Sequence, residues 1–256
     1  MATYKKRGYK PGNKKEENQS DESAYETAGV LNTLDETASK SEQWIEKNSK
    51  PLLITLISLV VVFLGYLGYN KFIDEPKELE AADELAFPRK YFDDAAVAGS
   101  GVDSLLNLGL EGADGKYGFL DIADSYSGTD AGNLANYYAG MAYLNMKDYS
   151  NAITYLSAFS SDDDVLGPIA KGGIGDAFVQ LEQLEDAFDY YVQASQLQTN
   201  DYTTPMYLLK AGMIGLKLEN YSKALAFFNQ IKSEFPESTE AKDIDVFIGK
   251  AEASIN

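Results

Sequence analysis

The sequence predicts an all-α protein: one N-terminal transmembrane helix followed by a solenoid of stacked helical hairpins. Three observations carry this. Residues 52–69 read LLITLISLVVVFLGYLGY, and no charge occurs between Lys50 and Lys71. Beyond that stretch a pattern of small and bulky residues recurs three times, 35 and 37 residues apart. The charge is also divided unevenly about the apolar run. Of the 22 Lys and Arg, nine precede it and 13 follow; of the 40 Asp and Glu, nine precede it and 31 follow. The whole net charge of -18 therefore belongs to the C-terminal part.

The apolar run is about 27 Å long as a helix, at roughly 1.5 Å per residue, and matches the hydrocarbon core of a bilayer. Its residues are apolar all round, unlike an amphipathic core helix. Tyr66 and Tyr69 stand where an interfacial aromatic belt belongs. Pro51 suits a first helical turn, where a missing N–H costs nothing. The run starts too deep in the chain, and is too long, for a cleaved signal peptide. A short tail before it and a long acidic domain after it fit a signal anchor with a cytoplasmic N-terminus.

Residues 1–24 are polar, hold two basic clusters and show no apolar periodicity, which predicts a disordered tail. Residues 25–49 predict a juxtamembrane amphipathic helix. Val30, Leu31, Leu34, Ala38, Trp44 and Ile45 recur at near-helical spacing. Leu34, Trp44 and Ile45 are its candidate contacts, on the membrane surface or on a membrane partner; the bland alternative is a simple leader into the span. Residues 50–71 form the predicted span, and residues 72–256 the domain beyond it.

Within that domain Gly140, Gly175 and Gly212 are each followed twelve residues later by Ala152, Ala187 and Ala224. Four further on come Leu156, Tyr191 and Phe228; three before each Ala come Tyr149, Leu184 and Tyr221. Small residues at this spacing let two helices of one hairpin cross closely, and each hairpin must stack on the next to bury its apolar face. KDYSN, EQLED and ENYSK read as the turns. Upstream, helical stretches at 77–97, 102–110 and 117–126 read as a divergent hairpin and a half, with Pro88 predicting a bend or break. A last helix over 239–254, with Ile244, Phe247, Ile248 and Ala251 on one face, reads as a cap.

The repeat resembles the tetratricopeptide repeat. Gly140, Tyr143, Ala152 and Leu156 match one copy; Gly175, Phe178, Ala187, Tyr191 and Ala194 a second; Gly212, Ala224, Phe228 and Pro236 a third. The usual early Trp is absent, and Gly215 stands where an aromatic is usual. The resemblance implies a concave face lined by the first helix of each hairpin. Its register puts Tyr137, Met141, Leu144, Asn145, Asp176, Val179, Met206, Leu209, Met213 and Leu216 there. Met and Leu make an adaptable apolar groove for partner segments. The chain's own terminal helix is the alternative occupant.

With no Cys and no His, disulfides, thiol or imidazole catalysis and Cys/His zinc sites are excluded. No catalytic constellation stands out, which predicts a non-enzyme without cofactor or metal. Asp162-Asp163-Asp164 lacks calcium-loop spacing and reads as a helix-capping loop. The acidic domain repels nucleic acid. Its charge serves solubility or draws basic partners.

The order of tail, anchor and repeat domain resembles the YfgM-like ancillary subunits of the SecYEG translocon. The segment GFLDIADSYSGTDAGNLANYYAGMAYL (118–144) is similar to the Bacteroidetes-type version. The resemblance implies a bacterial inner-membrane protein with its domain in the periplasm. It also implies SecYEG and a membrane-anchored parvulin-type prolyl isomerase as partners, with exported polypeptides as clients. A structural scaffold in another envelope secretion or assembly complex is the alternative function.

Overall fold

The computed structural model describes the backbone of residues 17–255 and the side chains of residue 42 and residues 44–255. Among the described residues there are helices, turns and one isolated bridge between Ala113 and Lys116, and no strand. The chain divides into two compact units, residues 1–69 and 70–256.

The first unit is a single helix, α1 (Glu17–Tyr69). It starts inside the segment 1–24, for which disorder is predicted from composition. The side chain of Leu34 lies outside the described residues, as do residues 1–16. No break separates the stretches 25–49 and 50–69, so Pro51 is interior to the helix and not in a first turn. Proline there removes one i to i−4 hydrogen bond. Polar side chains around it bond neighbouring carbonyls: Asn48 Nδ2 donates to Trp44 O at 2.7 Å, Ser49 Oγ to Glu46 O at 2.9 Å and Thr55 Oγ1 to Pro51 O at 2.9 Å. Trp44, Ile45 and the apolar residues from Leu52 to Tyr69 are exposed. By length and composition this is a helix able to cross a membrane.

The second unit opens with a single π-helical turn (Asn70–Asp74) and continues through α2 (Glu75–Val97), α3 (Val102–Glu111) and α4 (Phe119–Ser125). Three hairpins follow: α5 (Asp130–Asn145) with α6 (Tyr149–Ala158), α7 (Leu166–Gln180) with α8 (Leu184–Leu197), and α9 (Thr203–Lys217) with α10 (Tyr221–Glu234). The last helix is α11 (Ile244–Ile255). It starts five residues later than its periodicity predicts, because residues 236–243 are spent on turns.

Pro88 does not break α2. It is fully buried, and its carbonyl lies 3.3 Å from where a Cβ of Gly109 would be. Close packing of α3 on this turn holds the helix together despite the missing donor. Phe92, Phe119 and Tyr138 then join α2, α4 and α5. Phe119 stacks on Tyr138 at 5.2 Å and 14°, and Phe92 meets Tyr138 edge-on at 5.2 Å.

The start of α5 is capped from two sides. Thr129 Oγ1 accepts from Gly132 N at 2.9 Å. Glu78 of α2 reaches across 52 residues of sequence, accepting from Asp130 N at 2.7 Å and Ala131 N at 3.0 Å. Two donors that a helix end leaves open are thus met by an anion at the positive pole. Glu78→Ala is expected to cost about 1 kcal/mol, with faster amide hydrogen exchange at Asp130 and Ala131 by mass spectrometry. Unchanged exchange there would show that the cap contributes nothing.

Each hairpin turn carries a non-glycine residue in the left-handed region, Lys147 (φ 65°), Glu182 (φ 61°) and Glu219 (φ 60°). Each is followed by a bond back into its helix: Asp148 N to Tyr143 O at 2.9 Å, Gln183 N to Phe178 O at 2.9 Å, Asn220 N to Gly215 O at 2.8 Å. That is a Schellman-type helix end, placed seven residues after each repeat glycine.

Candidate interaction groove

The repeat glycines act as notches. A Cβ at Gly140 would sit 2.5 Å from Leu156 Cγ, and one at Gly175 would sit 2.7 Å from the Tyr191 ring. At Gly212 it would collide with the Phe228 ring. Ala152, Ala187 and Ala224 are completely buried where each second helix crosses the first. The hairpins are therefore locked by one knob each, and the first helices, α5, α7 and α9, stand side by side.

Most residues assigned to the concave face are used to join those helices. Tyr137 and Met141 pack on the cluster of Leu156, Phe159, Ala170 and Ile174. The Leu144 side chain reaches Gly173, within 3.5 Å of where its Cβ would be. Val179 and Met206 pack on the cluster of Phe188, Tyr191 and Tyr207. Leu209 and Leu216 pack on the cluster that holds Phe228, Ile244 and Ala251. Of the three Met only Met213 is open, at 43% exposure. Asn145 is exposed and donates its amide to Met141 O at 2.8 Å.

The exception is Asp176, which organises a polar centre that sequence reasoning missed. Lys210 of α9 donates to both of its carboxylate oxygens, at 2.7 and 2.9 Å. The Tyr191 hydroxyl donates to Asp176 Oδ1 at 2.6 Å. Lys210 Nζ also lies 5.4 Å from the Tyr191 ring centre and 5.6 Å from that of Tyr207. These two rings stack at 6.3 Å and 18°. Tyr207 occupies the space that a side chain at Gly172 would need. The spacing of Asp176 and Lys210, 34 residues, is close to one repeat, and that is the signal that could have paired them.

The Lys210 and Asp176 side chains keep 35% and 39% exposure, so the pair is worth no more than about 1 kcal/mol of stability. Its chemistry suits recognition: a neutralised, half-open ion pair on an aromatic floor can trade hydrogen bonds with a partner. Burial raises the pKa of the Tyr191 hydroxyl far above the usual tyrosine range, helped by its bond to the Asp176 carboxylate. Burial likewise raises that of Tyr207, with Asp176 adding to it. The folded state holds these protons more tightly than the unfolded chain does. Stability is thus expected to be constant through neutral pH and to fall as pH rises above about 10. Chemical denaturation between pH 7 and 11 checks this. Tyr191→Phe should flatten the alkaline decline, and an equal decline in that variant would remove Tyr191 as its source.

Asp163 behaves as a cap. Its carboxylate accepts from Val165 N and Leu166 N, both at 2.8 Å, at the start of α7. Those bonds lower its pKa. Among the described residues no group of three or more His, Cys, Asp or Glu could hold a metal ion.

Residues 134–162 and 207–238 match the tetratricopeptide repeat family. These segments are the α5–α6 and α9–α10 hairpins, and the α7–α8 hairpin between them shares their notch and turn geometry. No curated protein matches the chain. A similar solved structure is the crystal structure of a Podosopora anserina kinesin light chain with nearly identical TPR-like repeats. It is 12% identical, covers 70% of this chain and 87% of that one, and has a TM-score of 0.48. The fold is all-helical, with one apolar helix near the N-terminus followed by tetratricopeptide-type repeats.

Proposed function

We propose that the protein is a membrane-anchored adaptor that binds other proteins and catalyses no reaction. The observation that carries this is the run of three knob-and-notch hairpins behind an exposed apolar helix. A stacked solenoid offers long surfaces and no enclosed site, which suits protein recognition. Residues 50–71 are the membrane span, residues 72–256 the periplasmic domain, and the N-terminus is cytoplasmic. The concave-face residues, with Asp176, Met213 and Asn145 open among them, are the docking surface. Trp44 and Ile45 lie exposed on α1 and are free to meet membrane or partner.

The finer reading places the adaptor at the Sec translocon of a bacterial inner membrane. There it assists newly exported chains together with SecYEG and a membrane-anchored parvulin-type isomerase. The support is the resemblance of segment 118–144 and of the order of tail, anchor and repeats. Affinity purification of the tagged full-length protein in mild detergent, followed by mass spectrometry, tests it. SecY and a periplasmic isomerase among the most enriched proteins are the expected result. Enrichment of a different envelope complex, without SecY, would move the adaptor to that machine.

A further inference from the structure

The second unit begins with two apolar side chains that its own fold leaves bare. Phe72 is 80% exposed and Ile73 51%, both in the π-helical turn (Asn70–Asp74). Every other phenylalanine of that unit is buried or half-buried. Neither Phe72 nor Ile73 joins a core cluster, and the first buried residue of α2 is Ala81. In water this exposure is unfavourable, and the fold does nothing to relieve it.

The length of the apolar run points to what covers them. Residues 52–69 make about 27 Å of helix, roughly 3 Å short of a ~30 Å hydrocarbon core. Carried on to Ile73, the run reaches about 33 Å. The obstacle is the charge of Lys71. Helical side chains lean toward the N-terminus, which here would turn the ammonium back along the apolar run. Instead Lys71 Nζ donates to both carboxylate oxygens of Glu75, at 2.8 and 2.6 Å, one turn further along the chain. The pair is neutral as a whole, and it draws the ammonium past Phe72 and Ile73 toward water. Beyond Ile73 the character changes at once: Asp74, Glu75, Lys77 and Glu78 are all charged.

We propose that Phe72 and Ile73 are immersed in the hydrocarbon of the bilayer, so that lipid covers the first turn of the repeat domain and the boundary falls between Ile73 and Asp74. Phe72 adds an outer member to the aromatic belt of Tyr66 and Tyr69. Ala81, where the core of the domain begins, follows Ile73 by eight residues, about 12 Å of helix. The solenoid is therefore seated at the membrane surface, with no flexible linker between lipid and core, and it meets its partners there. This rests on the membrane-anchored reading of the chain and is independent of the translocon.

The chain has no Cys, so single cysteines report position without background. The full-length protein is placed in phosphatidylcholine nanodiscs, whose two faces are both open to reagent, and is labelled with a charged, water-soluble maleimide. Phe72→Cys and Ile73→Cys are expected to react at least about tenfold more slowly than Asp74→Cys and Asp83→Cys, because lipid suppresses the reactive thiolate. They should react about as slowly as Val61→Cys, within the span. Burial in the protein cannot mimic this, since both side chains are open in the folded domain. A second measurement identifies the covering. The protein carrying Phe72→Trp and Trp44→Phe should have its single tryptophan strongly quenched in discs of brominated phosphatidylcholine. Labelling at positions 72 and 73 as fast as at 74 overturns the proposal. So does slow labelling without bromolipid quenching, since protein, a second copy included, then covers the turn. Fast labelling of Val61→Cys would overturn the anchor as well. Protection of Val61→Cys alone would leave the anchor standing and remove only the seat at Phe72 and Ile73.

Discussion

Phe228→Ala is expected to lower the stability of the repeat domain by about 3–5 kcal/mol. The ring is completely buried, fills the Gly212 notch and packs 5.5 Å from the Phe247 ring of α11. Its loss opens a cavity at the joint of three helices, α9, α10 and α11. A domain of this kind has about 5–15 kcal/mol in all, so the loss is a large share. In a stacked solenoid the damage is local first, because each hairpin leans on its neighbours. Urea unfolding followed by circular dichroism should therefore show an early transition, and hydrogen exchange should locate it in α9–α11. Gly212→Ala attacks the same joint from the other side. The added methyl overpacks the ring at a cost of about 1–3 kcal/mol, offset by up to about 1 kcal/mol of better helix propensity. The double variant should cost less than the two single costs together, by about 0.5–3 kcal/mol. Strict additivity would mean that knob and notch do not touch, and the account of the repeat would fail.

What could be read in advance follows from where close contacts are made. Gly140, Gly175 and Gly212 are legible because a helix crossing this tight excludes every larger side chain. The constraint is local to one hairpin, so spacing alone exposes it. Gly249 repeats the spacing 37 residues after Gly212, on a helix whose apolar face predicts a cap. Asp176 was placed on the concave face by register, but Lys210 was not. Their bond joins two different hairpins: the 34-residue spacing hints at the pair, and the packed distance between α7 and α9 shows that Lys210 reaches it. Glu78 at the start of α5 was hidden for the same reason, at a separation of 52 residues. The groove was expected to be richer in open Met and Leu than it is. Register says which way a side chain points, but not how far the next hairpin closes over it. The two prolines mark the limit of propensity: Pro51 and Pro88 both lie inside continuous helices. A donor missing from the ladder ends a helix only if nothing else holds the turn.

These features divide the labour in the chain. The apolar cost of each hairpin is met inside the domain, by knobs, notches and aromatic stacks. Among the residues that stay open are the Asp176–Lys210 pair and Met213. A surface of this type binds through a few anchors and not through area.

Val60→Arg combined with Phe63→Arg is expected to release the protein from the membrane. Both side chains are exposed, at 47% and 59%, in the middle of an apolar stretch with no part buried against the chain. In water so much exposed apolar surface would drive aggregation, whereas in lipid it is the favourable solvent. Each arginine at a helix centre costs about 2.5–3.5 kcal/mol on an insertion scale, and the pair about 5–7 kcal/mol. Snorkelling gives little relief near the middle of the span, because the headgroups are far in both directions. Extraction of membranes at alkaline pH measures the result. The unmodified protein should stay in the pellet, the double variant should appear in the supernatant, and Glu46→Arg, before the span, should behave like the parent. Unchanged pelleting of the double variant would mean that something other than lipid covers residues 52–69, and the anchor would have to be reassigned as a protein-binding helix.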